Sequence, residues 1–119
     1  MIHPLGLDVA IIQPGAFPTE MSQKVQMGAD ASVMADYSAI AEYPDKMFSA
    51  LSQMFETAKP DPQNIADAVV NLINLPKGQR PLRTVVDSTS GEIVKTANDA
   101  VKGEFEKALA LYGLGGLLA

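Results

Sequence analysis

The chain has 119 residues, of which 47% are apolar and 19% are charged, a composition typical of one globular domain and not of a disordered segment. Nine basic and fourteen acidic side chains give a formal net charge of -5, which disfavours binding to nucleic acids and to anionic membranes because both carry negative charge. Cysteine is absent, which excludes disulfides and thiolate metal sites and fits a reducing cytoplasm. The first residues lack a signal-peptide pattern, and the longest apolar tract falls short of the ~20 residues that a membrane-spanning helix needs. We therefore expect a soluble cytoplasmic protein.

Residues 7–13 predict the first strand. The run is short, apolar and rich in β-branched side chains, which is typical of a strand covered on both faces, as in a parallel sheet. Pro14 and Gly15 follow it directly and predict an abrupt turn.

The turn QPGAFPTE raises the question of a ligand. Gly15 has no Cβ and lets a ligand approach the backbone, Pro18 biases Phe17 toward extended geometry, and Thr19 is placed to cap the helical segment that follows. The carboxyl end of a parallel strand is also where open α/β sheets bind ligands. Two interpretations stay open, a site for an anionic or amide-bearing ligand, or a turn and a helix cap without a ligand.

Residues 20–59 predict a helical insertion, which Gly28 and Pro44 interrupt. It contains most of the methionines of the chain. Methionine adapts to irregular shapes, so these side chains suit either the lining of a pocket for an apolar substrate or filler between helices. They are Met21, Met27, Met34, Met47 and Met54.

Residues 62–75 carry the clearest helix signal of the chain. Asp61 and Pro62 are typical of a helix start. Apolar side chains then recur every three or four residues and form one stripe. Pro76 and Gly78 predict the end of this helix.

Residues 82–87 predict the second strand, because they contain β-branched side chains. Residues 92–112 predict the last helix, because their apolar side chains follow helical spacing. Glu104 and Lys107 are spaced to pair on the surface of that helix. A small basic cluster lies around the start of the second strand, for which we expect a solvated loop, with a contact to a partner or a phosphate as the alternative: Lys77, Arg80 and Arg83.

The order of strand, long helical connection and strand predicts a βαβ unit with parallel strands, and the fold class is therefore α/β. Two parallel strands need cover on both faces, and the first strand would leave a long, apolar, uncharged edge open. We therefore expect another chain, or another part of the fold, to cover this sheet.

The whole arrangement resembles the C-terminal half of the short-chain dehydrogenase/reductase family. In that family the sixth strand ends in a P-G-x-x-x-T segment, which here is Pro14 to Thr19. A helical insertion in the place of the substrate lid follows, then the helix PQNIADAVVNLINLP and the phrase GQRPLRTVVD at the last strand. The resemblance covers essentially all 119 residues.

This resemblance implies a fold, a cofactor and a set of site residues. The fold is the C-terminal βαβ part of a Rossmann-like doubly wound parallel sheet, with a helical lid insertion and a C-terminal helix. The cofactor of the complete parent is NAD or NADP, and the five methionines belong to the substrate lid. The cofactor-binding residues are Pro14, Gly15, Ala16, Phe17 and Thr19.

Two motifs of the family are missing. No tyrosine in this sequence has a lysine four residues later, so Y-x-x-x-K is absent, and no set of glycines has the G-x-x-x-G-x-G spacing. The chain looks like a family member that begins just after the catalytic helix. We therefore predict no catalytic residue, no metal site, weak or no cofactor binding by the chain alone, and no activity by itself.

Two functions stay open. The first is the cofactor-loop and lid portion of an NAD(P)-dependent oxidoreductase for carbonyl or alcohol substrates, completed by an N-terminal half. The second is a non-catalytic oligomerisation module derived from that fold. Family members dimerise through the helix before the last strand and through that strand, which implies contacts at 62–75 and 82–87, and the open strand 7–13 adds a third surface.

Overall fold

The computed structural model describes residues 5–26, 28–30 and 32–117. It divides into two compact units. The sheet unit comprises Met1–Ala16 and Pro62–Ala119, and the helical unit comprises Phe17–Asp61. The chain is thus of mixed α/β class.

The helical unit corresponds to the predicted insertion. It contains a 3-10 helix at Glu20–Lys24, helix α1 at Val33–Asp36, a second 3-10 helix at Ser38–Ile40, and helix α2 at Tyr43–Ala58. Pro44 lies in the first turn of α2, where a proline costs no hydrogen bond. It begins a helix and does not interrupt one. Helix α2 ends at Lys59, which has the left-handed φ of 44° and donates its backbone N–H to the Phe55 carbonyl.

The sheet unit contains two strands, β1 at Ile11–Pro14 and β2 at Arg83–Val86. They pair in parallel, with Ile11 opposite Arg83 and Pro14 opposite Val86, so the parallel pairing predicted from the sequence is confirmed. Strand β1 begins later than the predicted 7–13, at Ile11, and extends one residue further, to Pro14, which the sequence placed in the turn. The backbone N–H of Gly15 donates to the Val86 carbonyl at 3.0 Å, which extends the ladder into the turn.

Two helices pack on this sheet. Helix α3 spans Gln63–Asn74 and contacts both strands, and helix α4 spans Gly91–Leu111 and contacts β2. A short 3-10 helix at Gly115–Leu117 follows α4. The Asn98 side chain of α4 donates to Gln13 Oε1 of β1 at 2.7 Å, and Lys107 pairs with Glu104 at 2.6 Å as predicted.

The loop after α3 holds a polar clamp that the sequence did not reveal. Arg80 donates from Nε to the Leu72 carbonyl at 2.7 Å and from Nη2 to the Leu75 carbonyl at 2.8 Å, so it satisfies the C-terminal carbonyls of α3. Its Nη1 donates to Asp8 Oδ2 at 2.6 Å. The hydrogen bond from the Gly78 N–H has the largest effect on the Asp8 carboxyl and lowers its pKa, and the hydrogen bond and positive charge of Arg80 lower it further. The expectation of a solvated basic loop is therefore wrong for Arg80.

The sheet unit encloses little of its apolar surface. Among the described residues, Leu72 is the one large apolar side chain that is buried, with 8% exposed. Val9 before β1, Ile11 in β1 and Val70 in α3 are exposed, and Ile73 of α3 is 67% exposed. Two short strands and two helices do not surround a core of ordinary size, which agrees with the expected need for further cover.

Within the described part of the chain, no helix combines the length and the apolar character needed to cross a bilayer.

Candidate functional site

The predicted cofactor residues Pro14, Gly15 and Ala16 belong to the sheet unit. Pro14 is the last residue of β1, and Gly15 and Ala16 follow it directly. Phe17 and Thr19 belong to the helical unit. The structure thus brings the first three predicted residues together at the carboxyl edge of the sheet.

Gly15 packs directly against Asp87, the residue that follows β2. A Cβ atom at position 15 would lie within 2.5 Å of both Cβ and Oδ1 of Asp87, a distance that real Cβ atoms do not show. The glycine at this position is therefore required by a contact inside the sheet unit. From the sequence, we expected a glycine at position 15 to allow a ligand to approach the backbone. The structure shows that the glycine makes room for the Asp87 side chain.

Asp87 is the best-connected polar side chain at this edge. Its Oδ1 accepts from the Thr89 N–H at 2.7 Å, from Thr89 Oγ1 at 2.6 Å and from the Ser90 N–H at 3.2 Å, and its Oδ2 accepts from Ser90 Oγ at 2.7 Å. These bonds, led by that of the Thr89 hydroxyl, lower the pKa of Asp87 to about 2. The carboxylate is therefore charged at neutral pH and orders the turn that leads into α4.

The role of Asp87 was not predicted from the sequence. The signal is local and was available, because an aspartate followed two and three residues later by Thr and Ser is typical of a side-chain-capped turn. What the sequence does not show is that this carboxylate lies against Gly15, because the contact joins residues that are distant along the chain.

Thr19 caps the first helix of the helical unit. The Met21 N–H donates to Thr19 Oγ1 at 3.4 Å, and the Thr19 N–H donates to the Phe17 carbonyl at 2.9 Å. The cap is therefore as predicted. The helix that it caps is a five-residue 3-10 helix, however, and so short a helix supplies no appreciable dipole for an anion.

The described methionines do not fill a core. The side chain of Met21 is 77% exposed and that of Met47 is 64% exposed, and Met54 is also exposed. Met27 lies outside the described residues, as does the side chain of Met34. On α2, Met47 and Met54 share an apolar stripe with Tyr43, at spacings of four and eleven residues. Interior filler is thus excluded for Met21 and Met47, and lining of a surface for an apolar group stays a prediction.

The described residues contain no group of three or more acidic or histidine side chains placed to hold a metal ion. The sole histidine of the sequence, His3, lies outside them.

Comparison with protein-family models, with curated proteins and with solved structures finds no match for this chain. The resemblance to the short-chain dehydrogenase/reductase family therefore stays a prediction from the quoted motifs.

Proposed function

We propose that this chain is the C-terminal cofactor-loop and substrate-lid portion of an NAD(P)-dependent short-chain oxidoreductase that acts on a carbonyl or alcohol group. The observation that carries the proposal is the position of Pro14 and Gly15, at the carboxyl end of a strand that pairs in parallel with the next strand of the chain. Open parallel sheets bind their ligands at this edge. In the proposed parent, β1, α3 and β2 are the last βαβ part of a Rossmann-like doubly wound sheet.

The charge at this edge indicates which part of the cofactor fits. A phosphate next to Gly15 would meet the ionised Asp87 carboxylate, and the two negative charges would repel each other. The carboxamide of nicotinamide is neutral, so it meets no such repulsion beside the Asp87 carboxylate. Of the two ligand types left open by the sequence, the amide-bearing group therefore fits the sheet unit better than the anionic one.

The proposed roles follow from this fit. The backbone of Ala16 and Phe17 would contact the nicotinamide carboxamide, and Thr19 would donate or accept one hydrogen bond beside it. The cofactor supplies the hydride chemistry when it is bound. The residues of this chain bind and orient the nicotinamide, and the helical unit with its exposed methionines would cover an apolar substrate.

The proposed activity requires a second part of the fold. Hydride transfer to a carbonyl needs a general acid and a cradle for the dinucleotide phosphates, and the sequence has neither Y-x-x-x-K nor the glycine-rich spacing. The exposed Val9, just before β1, and Ile11, in β1, support an additional strand or segment at this side of the sheet, because their burial would remove apolar surface from water. We therefore expect the completing N-terminal half to pair at residues 7–13.

A non-catalytic oligomerisation module is the second candidate. The observation that favours it is the apolar surface on α3, where Val70 and Ile73 are exposed within the predicted interface at 62–75. A stable self-dimer through α3 and 82–87 that has no affinity for nucleotides would support this function over the first.

The DNA upstream of the codon for Met1 tests the proposal. We expect an open reading frame that encodes Y-x-x-x-K shortly before Met1 and a glycine-rich G-x-x-x-G-x-G motif further upstream, and we expect the joined product to oxidise NADH or NADPH in the presence of aldehydes or ketones. An in-frame stop codon directly upstream, together with a self-dimer that binds no nucleotide, would overturn the proposal in favour of the second candidate.

A further inference from the structure

A groove lies on the sheet unit between β2 and α4, and we call it the β2–α4 groove. Its volume is about 570 Å³, which falls within the range of ~300–1,000 Å³ that is typical of small-molecule sites. No residue of β1 lines it, so it is separate from the candidate cofactor loop and from the strand edge where we expect a completing partner. Its apolar walls are formed by Leu82, Val101, Phe105, Leu109 and Leu117.

The charged side chains of the groove differ in how they are neutralised. Lys102 pairs with Glu106, and Arg80 is bonded to Asp8 and to the carbonyls at the end of α3. The side chain of Arg83 has no ion pair and no hydrogen bond within the described residues, although the residue is half-buried. A guanidinium carries five N–H donors, so Arg83 presents an unneutralised charge to a groove whose other charged side chains are already paired.

This combination specifies a ligand with one anionic end and an apolar body. A carboxylate matches the fork of the guanidinium and forms two parallel charge-assisted hydrogen bonds with it. The walls at Val101 and Phe105 then cover an aliphatic chain. Binding is favoured because apolar surface of the chain and of the walls is removed from contact with water. A more highly charged head group fits less well, because Glu106 also lines the groove.

We propose that the β2–α4 groove binds an amphiphilic carboxylate of the fatty-acid type, with its head group on Arg83 and its chain along α4. The occupant is a small molecule and not a peptide. Apart from Arg83, the charged side chains of the described lining already have partners. The backbone N–H and C=O groups of a peptide would therefore find few hydrogen-bond partners in the groove, and their removal from water would cost free energy. The proposal is independent of the oxidoreductase function.

Equilibrium dialysis against radiolabelled dodecanoate, below its micelle-forming concentration, tests the proposal on the full chain. We expect saturable binding of one dodecanoate per chain. We also expect at least tenfold weaker binding of dodecanol, which has the same chain without the charge that Arg83 recognises. Amide NMR shifts should map binding to residues 101–109 of α4 and to Leu82 and Arg83.

Three variants separate this site from general apolar adsorption. R83Q should weaken dodecanoate binding about tenfold and leave dodecanol binding unchanged, since only the charged head group is affected. F105A should weaken the binding of both compounds, because Phe105 forms a wall and is 62% exposed, so its removal leaves the fold intact. K107Q removes one positive charge from the same helix outside the groove and should leave binding unchanged.

The proposal is overturned if dodecanol binds as tightly as dodecanoate, if R83Q and K107Q have equal effects, or if the amide shifts lie outside the groove. The comparison of the two compounds on the unmodified chain needs no variant, so the proposal stays testable even where a substitution disturbs folding.

Discussion

Gly15 and Asp87 lie in contact at the carboxyl edge of the two-stranded sheet, where a Cβ at position 15 would come within 2.5 Å of the Asp87 side chain. The contact links the turn after β1 to the turn after β2. It therefore joins the candidate cofactor loop to a carboxylate that four hydrogen bonds hold in place.

The first prediction concerns this contact. G15A should lower the free energy of unfolding by about 1–3 kcal/mol, because the added methyl group overlaps Asp87 and forces the two turns apart. G103A is the matched control, since a Cβ at that position in α4 meets no atom within 4 Å and alanine is the better helix former by about 1 kcal/mol. Urea unfolding at one fixed protein concentration measures both. A G15A chain as stable as the wild type would show that the contact is not close in solution.

The second prediction is a pH dependence at Asp87. Its pKa is lowered from 3.8 to about 2 in the folded chain, so the folded state binds the proton less readily than the unfolded state does. The contribution of Asp87 to stability is therefore present above pH 3.8 and is lost as the pH falls toward 2.

D87N, which cannot ionise, isolates this contribution. We expect the wild type to be more stable than D87N by about 1 kcal/mol at neutral pH, and we expect this difference to shrink as the pH is lowered through that range. A difference that stays constant from neutral pH to pH 2 would contradict the hydrogen-bonded, ionised Asp87 described above.

The third prediction compares two arginines near the start of β2. R80M removes the hydrogen bonds to the carbonyls at the end of α3 and should cost about 2 kcal/mol of stability, because those partly buried acceptors lose their partner. R83M makes the same chemical change at a side chain without hydrogen bonds and should change stability by less than about 0.5 kcal/mol. Thermal unfolding of the two variants under identical conditions distinguishes them. Equal effects would mean that Arg80 does not hold the end of α3.

The fourth prediction concerns association. The sheet unit exposes apolar side chains on β1 and α3, so we expect the purified chain to self-associate or to be loosely folded unless a partner covers it. Sedimentation velocity should show species larger than the monomer, and I73K should reduce their share. N71K places the same charge on a polar position of α3 and should have little effect. A compact monomer that melts cooperatively would contradict this expectation.

The parts of the fold that depend on neighbouring residues were predictable from the sequence. The apolar stripe and the flanking Pro62 and Pro76 predicted helix 62–75, and the structure has it at Gln63–Asn74. The last helix, predicted at 92–112, lies at Gly91–Leu111. Differences of one residue at helix ends are expected, because the last turns satisfy their backbone groups in several ways.

The parts that depend on distant residues were not predictable. Asp8 and Arg80 are separated by 72 positions in the sequence, and no local pattern indicates that one pairs with the other. The sequence predicted an abrupt turn at Pro14 and Gly15, whereas Pro14 is the last residue of β1 and the Gly15 N–H continues the pairing with β2. The physical reason for a glycine at position 15 emerged only from its contact with Asp87.

A titration of the chain with NADH, followed by amide NMR, tests the central claim most directly. The account predicts weak binding on the millimolar scale, with shifts concentrated at the amides of Gly15, Ala16, Phe17 and Thr19, and no such shifts with AMP, which lacks nicotinamide. Oxidation of NADH in the presence of aldehydes or ketones should not exceed the protein-free rate. Shifts with NADH that lie outside these four positions, or shifts at these positions that are equally large with AMP, would contradict the assignment of this loop to a nicotinamide site.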